Sequence, residues 1–198
     1  MSKQVEFFFD FGSPAAYLAY TQLPKIAAKA GAEIIWRPFL LGGVFKATGN
    51  ASPVNVPAKG KWMMGDLARY AKRYNTPFSV PPGFPINTLP LMRGAVGMQM
   101  RQPKLFPAYV DAVYQAMFAA PRDMRDPKVI AEVVRGIGMA PADFEAIIGD
   151  PEVKQRLIVV TEEAVTRGAF GAPTYFVGEQ MFFGQDRLDF VREALASA

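Results

Sequence analysis

The start of the chain most constrains how it can fold, because a short apolar segment runs directly into a helix signal. Four of the five residues 5–9 are apolar, which is typical of a strand covered on both faces. Gly12 then permits a sharp turn, Ser13 is a favourable helix N-cap, and Pro14 fits the first helical position. The segment therefore predicts a buried strand followed by a helix, with the Ser13 hydroxyl at their junction.

This position of Ser13 is chemically notable. A helix N-terminus presents free N–H groups and the positive end of the helix dipole, and both stabilise an anion. Serine is also a common N-cap, so for an isolated Ser-Pro pair a purely structural role is the simpler interpretation. The other features of the chain must decide between the two.

The 198-residue chain contains neither cysteine nor histidine. Disulfides, a protein thiolate nucleophile and cysteine-ligated zinc are therefore excluded, as are a serine-histidine triad and an imidazole base or metal ligand. We predict no metal site. Any catalysis must use hydroxyls, lysine, arginine, carboxylates, amides or a reagent supplied from outside.

The net charge is compatible with small acidic ligands but does not single them out. The net charge is +4, and the lysines and arginines are scattered rather than clustered, which argues against nucleic-acid binding. There is no apolar run of about 18 residues to cross a membrane, and the N-terminus lacks the layout of a signal peptide. We expect a cytoplasmic protein that binds neither nucleic acid nor membrane.

Strand and helix signals alternate only near the beginning of the chain. A second strand is predicted at residues 32–38, and its helical connection to the first favours a parallel βαβ unit. Glycines and prolines predict loops at residues 39–50 and 76–88. Apolar residues at helical spacing predict helices at residues 61–74, 91–100, 104–119, 127–136, 141–148 and 153–167.

The end of the chain returns to a strand pattern. Residues 172–177 and 180–184 flank a Gly-Glu turn and predict an antiparallel hairpin, which a helix at residues 186–196 follows. A βαβ unit at one end and a hairpin with a helix at the other form the arrangement of an α/β, thioredoxin-like fold. We predict that residues 1–42 and 156–198 form this domain and that residues 43–155 form a large all-helical insertion.

Several separated motifs are similar to those of one family. They are Phe-Asp-Phe-Gly-Ser-Pro (9–14), Arg-Pro-Phe-Leu-Leu-Gly-Gly (37–43), Thr-Gly-Asn (48–50) before Lys-Gly (59–60), Phe-Pro-Ile-Asn-Thr (84–88), Gly-Ala-Pro-Thr (171–174) and Phe-Gly-Gln-Asp (183–186). Over nearly its whole length the chain resembles the glutathione-using, DsbA-like branch of the thioredoxin superfamily. Within that branch it resembles the kappa-class glutathione transferases and, more closely, the 2-hydroxychromene-2-carboxylate isomerases.

The resemblance implies a glutathione site. Ser13 takes the place of the redox cysteine and faces the glutathione thiol, while Asn50 and Lys59 match positions that hold the cysteinyl and glycyl parts. Taken alone, Asn50 is a common turn residue and Lys59 a solvated loop charge. Their order and spacing relative to Ser13 favour the functional interpretation.

The resemblance places the rest of this site near the end of the chain. Ala172, before an expected cis Pro173, offers its backbone N–H and C=O to the glutathione cysteine, as an added strand would. Gln185 and Asp186 match the positions that bind the γ-glutamyl end. Taken alone, Pro173 is a strand-edge proline and Asp186 a helix N-cap. Ala15 departs from the bulkier residue common in the kappa class, which leaves room beside the thiol for another substrate.

A cysteine-free protein can use thiolate chemistry if glutathione supplies the thiol. A helix N-terminus and a donating Ser13 hydroxyl both lower a thiol pKa from its ordinary value of about 8.5. In the isomerase reaction that the resemblance implies, the thiolate adds to the cis double bond of an aromatic keto acid and forms an enolate. Rotation about the resulting single bond follows, and elimination breaks the C–S bond and returns the thiolate. We expect Lys46, Asn87 and Arg93 to bind the substrate carboxylate and ketone, since cations and amides stabilise an enolate.

Two other functions remain open. One is transferase or peroxidase activity on other electrophiles with glutathione, as in the kappa class. The other is a non-catalytic, thioredoxin-like module that binds peptides along the cis-proline edge. In the isomerase interpretation the protein acts in the catabolism of naphthalene-type aromatics, and the resemblance implies a homodimer.

Overall fold

A four-stranded mixed sheet organises residues 3–197, the part of the chain that the computed structural model describes. The strand order is β2-β1-β3-β4; β1 pairs in parallel with β2 and antiparallel with β3, and β3 pairs antiparallel with β4. In chain order the strands are β1 (Gln4–Phe9), β2 (Glu33–Pro38), β3 (Thr174–Val177) and β4 (Gln180–Phe183). The predicted βαβ unit, hairpin and thioredoxin-like fold are confirmed.

The helices of the described residues occupy the positions that the apolar spacing predicts, with ends shifted by a few residues. They are α1 (Pro14–Ala30), α2 (Leu41–Thr48), α3 (Pro57–Arg73), α4 (Leu89–Arg101), α5 (Phe106–Tyr114), α6 (Pro127–Gly136), α7 (Pro141–Gly149), α8 (Pro151–Thr166) and α9 (Leu188–Ser197). Short 3₁₀ turns cover Pro53–Asn55 and Gln185–Arg187, and α5 continues as a π-helical turn over Gln115–Ala119. The predicted domain boundary at residue 155 falls inside α8, and the division into two domains stays a prediction. Among the described helices, none is long and apolar enough to cross a membrane.

The loop predicted at residues 39–50 is wrong, because α2 occupies most of that segment. Three glycines favoured a loop, but residues distant in sequence cap the start of this helix. The Asp10 carboxylate accepts a hydrogen bond from the N–H of Leu41 at 2.8 Å, and the Thr161 hydroxyl accepts one from the N–H of the preceding residue at 2.9 Å. Such tertiary caps satisfy amides that the helix itself leaves free.

The sheet is covered on both faces, as the apolar character of β1 predicts. Phe7 and Phe9 point into the larger core, which the sheet forms with α1, α4 and α5. Phe8 points to the opposite face and packs edge-on against Phe39 and Phe176, under α2 and α8. Alternate residues of a strand face opposite sides, so one aromatic run fills two cores. Packing on both faces of the sheet fixes the end of β1, from which the turn to Ser13 begins.

Helix α4 packs very closely against α5 and α7 through Gly94. A Cβ atom there would collide with Tyr109 Oη and lie 2.6 Å from Phe144 Cε2. We expect Gly94→Ala to lower the free energy of unfolding by about 1–3 kcal/mol, the usual cost of overpacking. Gly65→Ala in α3, where a Cβ meets nothing within 4 Å, should instead raise it by about 1 kcal/mol. Urea denaturation measures both, and equal effects would contradict this account of the packing.

Candidate active site

Ser13 sits at the N-terminus of α1, as the sequence predicts, and is only 4% exposed. Its Oγ accepts a hydrogen bond from the N–H of Ala16 at 3.1 Å and donates one to the carbonyl of Ala172 at 2.8 Å. Its own N–H donates to the backbone carbonyl of Asp10 at 3.0 Å. The helix start, the strand end and the segment before β3 therefore hold the hydroxyl in one place.

Asp10 is the fully buried residue beneath this turn, and its role was not apparent from the sequence. Its Oδ1 accepts hydrogen bonds from the N–H of Gly12 and the hydroxyl of Thr88, both at 2.7 Å, and its Oδ2 accepts the N–H of Leu41. Burial raises the pKa of Asp10, and the three hydrogen bonds oppose that shift. One carboxylate thus joins the Ser13 turn to the starts of α2 and α4.

A cavity of about 780 Å³ opens in front of Ser13. Most of the residues predicted to bind glutathione line it together: Asn50, Lys59, Ala172, Gln185 and Asp186. The Ala172–Pro173 peptide bond is cis, whereas Pro173 itself is buried and does not line the cavity. The fold thus brings five separated positions to one side of the Ser13 hydroxyl. Their roles in binding stay predictions.

Two of these residues lie at helix ends along one wall. Asn50, just after α2, donates a hydrogen bond from its amide to the carbonyl of Phe170 at 2.8 Å and accepts one from the N–H of Ala51 at 2.8 Å. Lys59 is exposed in the first turn of α3, and no side chain of the preceding residue caps that helix. The uncapped N–H groups and the ammonium group together make this end of the cavity favourable for a carboxylate.

Gln185 and Asp186 line the cavity from the 3₁₀ turn that precedes α9. Asp186 forms an ion pair with Arg187, while Gln185 is 4% exposed and accepts a hydrogen bond from the hydroxyl of Tyr74 at 2.9 Å through Oε1. Because Tyr74 occupies the amide oxygen, the amide N–H₂ of Gln185 is the group left for a ligand. Burial raises the pKa of Tyr74 to about 12, so its hydroxyl keeps its proton at neutral pH. The sequence offered no sign of this tyrosine.

Aromatic and aliphatic side chains form the rest of the cavity. Phe45 of α2, Trp62 of α3 and Phe84 of the following loop line it, and Phe170 and Phe183 pack against each other at its edge with ring centroids 4.6 Å apart. Trp62 is 64% exposed, which is unusual for so large an apolar side chain. The cavity therefore has a polar part suited to a peptide-like anion and an apolar part suited to an aromatic ring.

The three residues expected to bind the substrate do not lie in this cavity. Lys46 and Arg93 line a second cavity on the other side of α2. Asn87 lines neither cavity; it is exposed, and its side chain accepts a hydrogen bond from the N–H of Leu89 at 3.0 Å, at the start of α4. Helix formation explains the separation, because residues 45 and 46 point in different directions once α2 forms.

Comparisons with known proteins agree with this fold. Residues 4–196 match the family of DSBA-like thioredoxin domains. The chain is 32% identical to a 2-hydroxychromene-2-carboxylate isomerase of Sphingobium xenophagum, covering 98% of this chain and 99% of that protein. It is 28% identical to glutathione S-transferase kappa 1 of Rattus norvegicus, covering 93% and 87% of the two chains.

Among solved structures, a 2-hydroxychromene-2-carboxylate isomerase superimposes with a TM-score of 0.87 at 29% identity, covering 98% of this chain and 95% of that one. The agreement therefore extends over both the sheet and the helices between its second and third strands. The chain belongs to the DsbA-like thioredoxin family and is a relative of the 2-hydroxychromene-2-carboxylate isomerases.

Proposed function

We propose that this protein is a glutathione-dependent isomerase that converts 2-hydroxychromene-2-carboxylate to trans-o-hydroxybenzylidenepyruvate. The observation that carries the proposal is a serine hydroxyl at a helix N-terminus, facing a large cavity, in a chain with no cysteine or histidine. A family relative with the isomerase name matches nearly the whole chain, which supports the same assignment.

The donor set of the cavity fits glutathione. Lys59 and the uncapped start of α3 would bind the glycyl carboxylate, and the carboxylate of Asp186 would bind the γ-glutamyl ammonium. The amide N–H₂ of Gln185 would donate to the γ-glutamyl carboxylate, because Tyr74 already occupies its oxygen. The backbone of Ala172 and the amide of Asn50 would bind the central peptide groups. Each charged end of the tripeptide thus meets a group of opposite charge or a hydrogen-bond donor.

Ser13 would stabilise negative charge on the sulfur. Its hydroxyl hydrogen can rotate from the Ala172 carbonyl towards the cavity, while Oγ continues to accept the N–H of Ala16. The N-terminal end of α1 adds a favourable field at the same point. Bound glutathione supplies a thiolate, which can add reversibly to a conjugated double bond and so permit rotation about it. No protein base is needed for this chemistry.

The apolar part of the cavity would hold the aromatic ring of the substrate. Phe45, Trp62 and Phe84 can pack against a planar ring and exclude water from the reacting bond. The small side chain of Ala15 also lines the cavity and leaves space beside Ser13. A substrate with a ring at one end and a keto acid at the other matches a cavity with an apolar part and a polar part.

Glutathione transfer to other electrophiles is the second candidate, favoured by the match to kappa-class transferases. The two activities are distinguished by parallel assays with the same glutathione-saturated protein. One follows isomerisation of 2-hydroxychromene-2-carboxylate, and the other follows conjugation of 1-chloro-2,4-dinitrobenzene. We expect isomerisation to be much faster. Conjugation without isomerisation would favour the transferase, and no glutathione binding at millimolar concentration would favour a non-catalytic peptide-binding module.

Tyr74→Phe tests the orientation of Gln185. Without the tyrosine hydroxyl, the amide of Gln185 can turn over and present its oxygen to the ligand. We expect glutathione to bind about 5- to 10-fold more weakly, as for one lost hydrogen bond, with little change in turnover at saturation. Tyr70→Phe on the same helix is the control, and calorimetric titration is the measurement. Equal affinities in the two variants would contradict the assigned role of Tyr74.

A further inference from the structure

The second cavity lies between α2, the start of α4 and α8, and also has a volume of about 780 Å³. Its lining residues differ completely from those of the Ser13 cavity. Helix α2 separates the two: Leu41, Phe45 and Thr48 line the Ser13 cavity, whereas Leu40, Gly43, Lys46 and Ala47 line the second one. Successive residues within each set are one, three or four positions apart, as expected for residues that share one face of a helix.

The charges of the second cavity are unbalanced. Three cations line it, Lys46, Arg93 and Lys154, against one carboxylate, Glu162. Among the described residues, none of these four forms a salt bridge within 4.0 Å. The cavity thus carries a net positive charge with no internal partner for it.

The side chain of Arg93 is the feature of this cavity that most strongly indicates a ligand. Its Nε atom is buried and has no hydrogen-bond partner among the described residues. Nearly all buried polar groups in folded proteins are paired, so such a group calls for an explanation. The planar guanidinium fork binds carboxylates through two parallel hydrogen bonds, and Arg93 lines the cavity without a carboxylate partner among the described residues.

The remaining lining of the second cavity is apolar. Leu40, Leu89, Leu157, Ile158 and Val165 contribute aliphatic side chains beside the cationic group. A small inorganic anion would leave this surface in contact with water, whereas a carboxylate on an apolar body would cover it. The volume is within the usual range for small-molecule sites.

We propose that the second cavity is a binding site for a small carboxylic acid with an apolar body, separate from the Ser13 cavity. Arg93 holds the carboxylate, Lys46 and Lys154 add to the attraction, and the aliphatic wall packs against the apolar body. Lys46 and Arg93 were expected from the sequence to bind the isomerase substrate, but they line this second cavity and not the Ser13 cavity. The proposal therefore does not depend on the isomerase activity proposed for the Ser13 cavity.

Calorimetric titration with 2-naphthoate tests it, with S-hexylglutathione present at saturation to fill the Ser13 cavity. We expect one 2-naphthoate site per chain, and at least 10-fold weaker binding of the neutral 2-naphthamide. Arg93→Gln should weaken 2-naphthoate binding by about 10- to 100-fold, as for a lost charge-assisted hydrogen bond. Lys46 is exposed, so Lys46→Gln provides a second variant without risk to folding. Lys128→Gln, an exposed lysine on α6, is the matched control and should bind as the wild type does.

Three results would overturn the proposal. They are no binding of 2-naphthoate at millimolar concentration, complete loss of binding when S-hexylglutathione is added, and equal affinities of Arg93→Gln and Lys128→Gln. The titration of S-hexylglutathione itself reports separately on the proposed glutathione site. Failure of one site is therefore distinguishable from failure of the other.

Discussion

Ser13→Ala is expected to lower the isomerase turnover of the glutathione-saturated protein by about 10- to 1000-fold, as for a lost oxyanion donor. The variant removes the hydroxyl that would donate to the sulfur at the N-terminus of α1. The rest of the cavity lining stays intact, so we expect glutathione affinity to change much less than turnover. Steady-state kinetics at saturating glutathione measure the effect.

The same hydroxyl is also the N-cap of α1, so its structural effect must be separated from the chemical one. Loss of the bond to Ala16 should lower the free energy of unfolding by about 1 kcal/mol. Ser13→Thr keeps both the cap and the donor, and we expect it to retain most of the turnover. Unchanged turnover in Ser13→Ala would contradict the role assigned to Ser13.

Asp10→Ala is expected to cause the largest loss of stability, about 3 kcal/mol in the free energy of unfolding. It leaves three donors without an acceptor: the buried hydroxyl of Thr88 and the part-buried amides of Gly12 and Leu41. Each unsatisfied buried group costs about 1–3 kcal/mol. Burial raises the pKa of Asp10, which means that the buried charge itself opposes folding, so alanine recovers part of this cost. The cost of three unpaired donors should exceed the free energy gained by removing one buried charge.

Asp143→Ala provides the control, because it removes an exposed carboxylate from the first turn of α7. Its effect on urea denaturation should be within about 0.5 kcal/mol. Asp10→Ala should also weaken glutathione binding, since Asp10 joins the Ser13 turn to the start of α2, which leads to Asn50. Similar stabilities of the two alanine variants would show that Asp10 does not hold these elements together.

Local chemistry explains which parts of the fold were predictable. The strand, turn and helix around Ser13 depend on neighbouring residues, and the structure reproduces them. Helix α2 depends instead on Asp10, 31 residues before the amide of Leu41 that it caps. A sequence pattern read over a few residues contains no signal of such a cap.

Some residues of the candidate site were also predictable from the sequence, whereas others depend on contacts between distant parts of the chain. The local turn and helix signal led to Ser13, and the family resemblance led to Asn50 and Lys59; the structure brings all three to one cavity. The supporting contact of Tyr74 spans 111 residues and needs the folded chain to be seen. Lys46 was expected to bind the substrate because a cation stabilises an enolate, but in the folded chain it lies on the face of α2 that lines the second cavity.

The most direct test of the proposed function is the ultraviolet spectrum of 2-hydroxychromene-2-carboxylate over time with the purified protein. The protein is dialysed thoroughly and assayed with and without added glutathione. We predict rapid formation of trans-o-hydroxybenzylidenepyruvate only when glutathione is present, because the chain has no thiol of its own. Equal conversion with and without glutathione, or no conversion in either sample, would contradict an isomerase that uses the thiol of bound glutathione.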